Sequence, residues 1–238
     1  MMIFLFLLLL LGDDQTPRPP AKNKSGLLQI DRDLYGIAAA TGGDFYFWAA
    51  GEFATSNLQI PIEYDEVLLS YGTVDTKRVF EIPVETGVPS LQVFAGVQRK
   101  DLAVLLRPDG TIVREHDQGT AVQSFQHMLI AVIEKPPPGV WRLELHGAGT
   151  FCVTAHVQPG EQSVGFDKAI VKKDGTCSVE ISGNADRLQL EFVAKDGTVI
   201  SRQRPGPCTV PTVPFRIAIT GVDAKGKEFR RIERALRQ

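Results

Sequence analysis

The amino-acid sequence predicts a mainly β fold, built from two consecutive antiparallel β-sandwich modules that follow a short αβ segment. From Tyr64 onward, short β-branched runs are separated by turn residues, a spacing typical of antiparallel sandwiches. The runs 141–145 and 215–220 alternate apolar and polar residues, which predicts strands with one buried face and one wet face. With 238 residues, the chain is long enough for two modules that each bury a core.

Composition argues against two classes of partner. The chain has 26 Lys plus Arg and 28 Asp plus Glu, a formal net charge of -2. No net positive field would therefore draw it to nucleic acid or to an anionic membrane surface.

The first 12 residues form a segment typical of a signal peptide. Met1–Leu11 is an unbroken apolar run, shorter than the about 20 residues that a spanning helix needs. We therefore expect secretion without a stable membrane span; the alternative is an artefactual extension of a cytosolic chain, since no basic residue precedes the run. Residues 13–26 are polar and Pro-rich, which predicts a disordered linker.

Residues 27–63 contain the predicted αβ segment. Asp31 is a plausible N-cap for a helix from Asp31 to Thr41, with Leu34, Ile37 and Ala38 on its apolar face. Asp44–Trp48 is short and strongly aromatic, which predicts a strand.

We place the boundary between the two sandwich modules at Pro159–Gly160, giving modules of residues 64–159 and 160–238. The strands predicted for the first module are 66–72, 78–82, 90–96, 103–107, 112–114, 126–133, 141–146 and 151–158. Those predicted for the second are 169–172, 177–181, 187–194, 199–202, 215–222 and 228–231. Asp-Gly-Thr occurs at 109–111, 174–176 and 196–198, and because Asp-Gly tolerates positive φ angles, it predicts three hairpin turns.

The chain has three cysteines, too few for a disulfide framework. One bridge, for example between Cys177 and Cys208, would leave Cys152 free. Cys152 lies in a β-rich run, where a buried thiol behaves as a small hydrophobe.

The sequence indicates no catalytic, cofactor-binding or metal-binding residues. Asp174–Ser178 loosely matches a pattern that places a carboxylate and two hydroxyls around a divalent cation, but its flanks predict a hairpin instead. His146 and His156 lie on adjacent predicted strands, without a carboxylate or cysteine to complete a zinc site, so we expect a surface pair. We predict a turn at Asp223–Glu228. The arginines that follow are expected to lie in a solvated tail; they are Arg230, Arg231, Arg234 and Arg237.

Several motifs resemble a known extracellular family. The run 34–43 is similar to the closing helix and strand of a von Willebrand factor A domain, with its Ile-Ala-x-x-Ser/Thr-Gly-Gly signature. The remainder of the chain resembles the region that trails this domain in hemicentin-like proteins. The matching stretches are Val67–Ser70, Val79–Val84, Leu106–Gly110, Pro138–Leu143 and Phe215–Ile232, so the resemblance spans residues 31–235.

The chain also departs from that family. Members carry a complete A domain upstream, whose loops form a metal-dependent adhesion site, and only its last αβ unit has a counterpart here. The family's metal-mediated binding is therefore carried onto no residue of this chain. Phe45, Tyr46, Phe47 and Trp48 lose their parent sheet, so they must be covered by the sandwich, by a partner chain or not at all. If they are exposed, they form an interaction surface, because exposed aromatics at this density are typical of interfaces.

These observations predict an extracellular structural or adhesion-type interaction module without catalytic activity, binding an unidentified protein or matrix partner. The alternatives are a carbohydrate-binding sandwich, with Trp48 or Trp141 stacking on sugar rings, and an accessory module of a secreted hydrolase. Trp141 alternates with Leu143 and Leu145, which favours a place in the core.

Overall fold

The computed structural model describes residues 32–41, 43, 45–47, 64–161, 163–172, 176–205, 208–234 and 237. These residues form one helix and twelve strands, and every pair of neighbouring strands is antiparallel. The predicted mainly β fold of antiparallel sheets is therefore confirmed. Strands β1–β6 form the first β-unit and β7–β12 the second, each with its own apolar core.

The predicted helix is present as α1, Arg32–Thr41. Its buried face is shifted from the predicted one: Ala38 and Ala39 are buried and Tyr35 is half-buried, whereas Ile37 is 45% exposed. The shift follows from Tyr35, whose hydroxyl donates to the Phe151 carbonyl at 2.9 Å and turns that side of the helix toward the sheet. The side chain of Leu34 lies outside the described residues.

Phe45, Tyr46 and Phe47 lie in neither helix nor strand. They do not form the predicted aromatic strand, whose ends, Asp44 and Trp48, lie outside the described residues. Isolated from a parent sheet, this segment packs its rings against the first β-unit instead of joining a ladder.

The first β-unit is a single bent sheet of six strands. Its strands are β1 Asp65–Val74, β2 Lys77–Val84, β3 Ser90–Leu106, β4 Thr120–Ser124, β5 Met128–Glu134 and β6 Gly139–Val157. The order is β1-β6-β3-β5-β4, and β2 also pairs with β6. β2 pairs with the first half of β6, and β1 pairs with the second half. The two halves of the sheet therefore wrap around one core. Trp141 is fully buried in this core, as predicted, and its indole N–H donates to the Pro137 carbonyl at 3.0 Å.

β3 and β6 each join two strands that were predicted to be separate. The sheet bends where β3 carries register shifts, between Val97 and Leu102, opposite Gly147 and Gly149 of β6. A Cβ atom at Gly147 would collide with the Arg99 carbonyl, and Gly149 has φ +94°. Glycine therefore bends the strand here without ending it.

Two short elements of the first unit differ from the prediction. β4 was not predicted, because its residues are polar and half-exposed and give no apolar alternation. Residues 112–114 form no strand; Ile112 makes an isolated bridge to Leu106.

The second β-unit packs a hairpin on a four-stranded sheet. Its strands are β7 Gly165–Val171, β8 Cys177–Ser182, β9 Asp186–Val193, β10 Val199–Gln203, β11 Arg216–Val222 and β12 Glu228–Ile232. The four-stranded order is β10-β9-β11-β12, and β7 pairs with β8. Phe192 and Phe215 meet edge to face in the core, with ring centroids 5.1 Å apart.

Tight turns occupy the predicted Asp-Gly-Thr positions that are described. Gly110 and Gly197 both have φ +85°, a conformation that glycine adopts without strain. In each turn the aspartate accepts a hydrogen bond from the backbone N–H of the threonine two residues later. The third site joins β7 to β8, although Asp174 and Gly175 lie outside the described residues.

Cys177 of β8 is bridged to Cys208, with Cα atoms 5.4 Å apart, and Cys152 is buried and takes no part in a disulfide. The bridge pins the segment between β10 and β11 to the hairpin. This segment contains Pro205, Pro207, Pro211 and Pro214, which have no N–H to donate to a ladder. The disulfide therefore holds a segment that backbone hydrogen bonding alone would hold poorly.

Replacing both Cys177 and Cys208 with serine should lower the free energy of unfolding by about 2–5 kcal/mol, because the unfolded chain regains the freedom that the cross-link removes. Urea unfolding measures the change. Cys152→Ala, which leaves the bridge intact, is the control and should cost less. Equal losses in the two variants would contradict a stabilising role for the bridge.

Candidate functional site

Two of the four predicted interaction residues, Phe45 and Phe47, pack on the sheet and do not face solvent. Phe45 is 8% exposed and Phe47 is 4% exposed. Phe47 packs over Gly96, where a Cβ atom would strike its ring. Tyr46 is half-buried, with its ring 5.8 Å from that of Phe94. Phe45 and Phe47 are thus unavailable to a partner, which corrects the prediction for these two residues, and Trp48 lies outside the described residues.

Together with α1, these aromatics cover one half of the outer face of the first sheet. We call this half the covered face; its residues are Leu69, Tyr71, Phe94, Cys152, Thr154 and His156, all buried. The Tyr71 hydroxyl donates to the Gly43 carbonyl at 2.5 Å. Burial, followed by the nearby Cys152, raises the pKa of Tyr35 far above its usual value. These contacts explain why Ser90–Val97 and Phe151–Val157 are buried without alternation.

The other half of the same outer face carries no such cover among the described residues. Strand register places Leu102 beside His146, Val79 and Val104 on either side of Glu144, and Leu106 between Arg142 and Ile112. Residues directly opposite in a sheet point to the same side. We call this half the open face, defined by Val79, Leu102, Val104, Leu106 and Ile112. Val79, Leu102 and Ile112 are 46%, 52% and 50% exposed, so three large apolar side chains of this one face are about half in solvent.

Charges on the open face neutralise one another. The Lys77 ammonium lies 2.7 Å from the Glu144 carboxylate, and His146 lies 3.6 Å from it. The hydrogen bond from Lys77 holds the pKa of Glu144 below its usual value. Glu81 lies opposite Arg142 in the register of β2 and β6. A partner would therefore meet apolar side chains beside balanced charges.

The two histidines expected to meet as a surface pair do not meet. Both lie on the single long strand β6, ten positions apart in the numbering, and His156 is only 4% exposed. Its Nε2 lies 3.2 Å from the Thr154 hydroxyl, and its Nδ1 lies 3.9 Å from the Glu66 carboxylate. The prediction failed because it split β6 into two strands.

A buried ionic junction joins the two β-units. The Arg231 guanidinium of β12 is 1% exposed and contacts the carboxylate of Glu85, which is equally buried. Its Nε donates to Asp65 at 2.8 Å. Arg234 lies 3.0 Å from Glu66 and borders a cleft of about 360 Å³ between the units. Two arginines of the predicted solvated tail, Arg231 and Arg234, are therefore structural. They pair with Asp65, Glu66 and Glu85 of the first unit.

Arg216 links α1 and both β-units. It lies on the face of β11 that alternation predicted to be wet, yet it is completely buried. Its guanidinium donates to the Ala39 carbonyl in the last turn of α1 and, at 2.9 Å, to the Arg234 carbonyl. Its Cζ lies 5.4 Å from the ring centroid of Tyr71. The negative end of the helix dipole and the aromatic face favour the cation, although burial lowers the pKa of Arg216.

Two turns of the second unit also dock on the first. In the β9–β10 turn, the Lys195 carbonyl accepts from the Tyr71 N–H at 2.9 Å, and the Asp196 carbonyl accepts from Arg78 at 2.7 Å. In the predicted turn between β11 and β12, the Asp223 carboxylate accepts from the backbone N–H of Thr86 and of Lys227, both at 2.8 Å. Burial opposes ionisation, but these hydrogen bonds outweigh it and hold the pKa of Asp223 below its usual value.

The described residues contain no group of three or more His, Cys, Asp or Glu side chains arranged to hold a metal ion. Asp174, the residue of the metal pattern that we set aside, lies outside them. Nor does the described part of the chain include a helix with the length and hydropathy needed to cross a bilayer.

Comparisons with known proteins identify no family. No family of known sequences and no curated protein matches the chain. Among solved structures, the chain is similar to the crystal structure of the Bacillus licheniformis lipase BlEst2 in its propeptide form. The identity is 14% and the TM-score 0.44; the match covers 75% of this chain and 42% of the lipase chain.

Replacing Arg231 with methionine should lower the free energy of unfolding by about 3–5 kcal/mol, because Glu85 would remain buried without a counter-charge. Urea unfolding measures the loss. Arg202→Met is the matched control: Arg202 also pairs with a carboxylate but is 60% exposed, so we expect about 1 kcal/mol or less. Adding Glu85→Gln to Arg231→Met should restore part of the loss. A loss as small as that of the control would mean that the Arg231 pair is solvated.

Asp223 should stabilise the fold above about pH 4 and lose this contribution as the pH falls. Its pKa is lower in the folded than in the unfolded chain, so the ionised form is favoured by folding, and protonation below the unfolded value of about 3.9 removes the stabilisation. Asp223→Asn should therefore cost about 1–3 kcal/mol near neutral pH, and the difference should shrink below pH 4. Thermal unfolding across pH measures this. The exposed Asp186→Asn is the control, and a pH-independent cost would contradict the proposed role of the charge.

Proposed function

We propose that this chain is an extracellular structural or adhesion-type interaction module without catalytic activity, and that it contacts a protein or matrix partner through the open face. The observation that carries the proposal is the exposure of Val79, Leu102 and Ile112, each close to half-exposed, on one sheet face. Apolar clusters of this kind on a folded surface are typical of interaction sites. No nucleic acid or membrane span enters the proposal.

The extracellular location is supported by two observations. Met1–Leu11 is the apolar run typical of a signal segment. The Cys177–Cys208 bridge is typical of proteins that mature in an oxidising compartment.

The packing beneath the open face also supports an interaction role. Directly beneath it lie Phe80, Leu143 and Leu105, which occupy neighbouring positions on β2, β6 and β3 and are all buried in the core. A preformed surface loses little conformational entropy when a partner binds. The strands that carry the open face are therefore anchored on the core before a partner binds.

Kinship with the region that trails the A domain in hemicentin-like proteins is part of the proposal. It rests on the order of the matching motifs between residues 31 and 235, with α1 at the position of the family's closing helix. The metal-dependent adhesion of that family is not proposed for this chain.

The carbohydrate-binding alternative is weakened by the position of Trp141, which is fully buried and has no ring face free for a sugar. The accessory-module alternative predicts that the open face binds a hydrolase. Identifying the protein captured by cross-linking from the open face separates that outcome from a matrix partner.

Site-specific cross-linking tests the proposal. A photoreactive amino acid placed at Leu102 should capture a protein from extracellular material of the source, and excess unlabelled chain should compete for it. The matched control position is Val213, which is 51% exposed but lies on the second unit. Equal capture from both positions, or none from Leu102, would contradict the proposal.

Leu102→Glu should weaken binding of the captured partner by about tenfold or more, because a charge would be desolvated in an apolar contact. The thermal midpoint should hardly change, since the side chain is half-exposed. Val213→Glu should leave binding intact. Unchanged affinity in Leu102→Glu would exclude the open face as the contact surface.

A further inference from the structure

In the second β-unit, no described strand pairs with the outer edges of β7, β8, β10 or β12. Its four-stranded sheet faces a sheet of only two strands, β7 and β8. β7 pairs with one edge of β8, and among the described residues no strand pairs with the other. This free edge is where a further strand would extend the smaller sheet.

The hydrogen-bonding pattern identifies the groups on this edge. The Lys172 N–H donates to the Thr176 carbonyl at 2.8 Å, so the backbone of Thr176 points toward β7. Because backbone groups alternate along a strand, those of Cys177, Val179 and Ile181 point away from β7. The Cys208 sulfur, 3.3 Å from the Cys177 carbonyl oxygen, lies on that outward side.

Side chains along the same edge leave the core incompletely covered. Val179 and Ile181 pack against the core of the second unit but are only half-buried, as are Leu188 and Val210. Phe192 and Ile219, core residues in the middle of the larger sheet, are by contrast buried. A strand added beside β8 would cover the half-buried residues and pair the outward amides.

A clasp, residues 208–210, occupies one end of the edge. The disulfide ties Cys208 to Cys177. The Gln203 side-chain amide donates to the Thr209 carbonyl at 2.7 Å and accepts from the Thr209 N–H at 3.0 Å. This clasp therefore spans from β10 to the beginning of β8, and within the described part of the chain no backbone hydrogen bond joins it to Val179 or Ile181.

The charge of Glu180 on β8 indicates which kind of side chain an added strand would place beside it. Glu180 is exposed on the outer side of β8, directly opposite Lys168 of β7. Opposite charges at neighbouring cross-strand positions stabilise a sheet, and like charges destabilise it. A residue beside Glu180 on a new strand would thus favour a positive charge.

We propose that the free edge of β8 is a strand-acceptor site for an extended segment of a partner protein, with apolar residues opposite Val179 and Ile181 and a basic residue opposite Glu180. The site lies on the second unit and goes beyond the open face of the proposed function. Either proposal can fail without the other.

Amide hydrogen exchange on the full chain tests this site. The probe is the capped peptide Lys-Val-Lys-Val-Lys, and its charge-reversed counterpart Glu-Val-Glu-Val-Glu is the control ligand. In the free protein the amides of Val179 and Ile181 should exchange quickly, whereas those of Ser178 and Glu180, directed toward β7, should be protected. The basic peptide at millimolar concentration should slow exchange at Val179 and Ile181 by about tenfold or more.

Two variants separate strand addition from loss of packing. Val179→Pro removes an outward N–H that the described fold does not use, a position where an edge strand tolerates proline, and should abolish the protection. Val179→Ala shortens the side chain but keeps the N–H, and should retain it. Protection of both amides before the peptide is added would show that the chain's own residues occupy the edge. That result would overturn the proposal. So would equal protection by both peptides, no protection by either peptide, or protection that persists in folded Val179→Pro.

Discussion

The association of the two β-units depends on two arginines buried away from water. A desolvated guanidinium costs several kcal/mol unless it is paired and hydrogen-bonded. Arg231 finds its partners in Glu85 and Asp65, and Arg216 finds the last turn of α1 and the ring of Tyr71. Each arginine also donates to one carbonyl of the second unit itself, that of Arg234 or Arg230. The other partners lie outside the second unit, so neither arginine is fully compensated unless the units are docked. The docked arrangement is therefore specified by electrostatics as well as by apolar contact.

Docking also divides the outer face of the first sheet into two unlike halves. α1, held by Arg216, and the aromatic segment close the covered face, where Tyr35 and Tyr71 complete their hydrogen bonds. Beyond the bend at Gly147, the same sheet continues as the open face, with its apolar side chains in solvent. One continuous surface thus serves internal packing on one side of the bend and is free for external contact on the other, which is the structural basis of the proposed interaction role.

Sequence patterns predicted a strand correctly where each face of that strand meets a single environment, core or water, along its length. Trp141–Leu145 alternates because one side meets the core and the other meets water, and the observed burial follows that alternation. The same rule failed at Arg216, which occupies a position that the pattern assigns to water but is covered by α1 and the first unit. It also failed at Phe45 and Phe47, whose aromatic character signals burial without saying what they are buried against. Alternation reports polarity along one strand and contains no information on a second layer.

By itself, the sequence determined the mainly β class, the positions of most strands and hairpin turns and the core place of Trp141, because these depend on local spacing and turn chemistry. Only the tertiary structure decided that β3 and β6 are continuous, that Arg231 is buried, and which half of the outer face stays open. Those features arise from contacts between residues far apart in the chain, such as Arg231 with Glu85 and Arg216 with Ala39. For the buried arginines, both the cost of desolvation and the partners that offset most of it exist only once the units have come together.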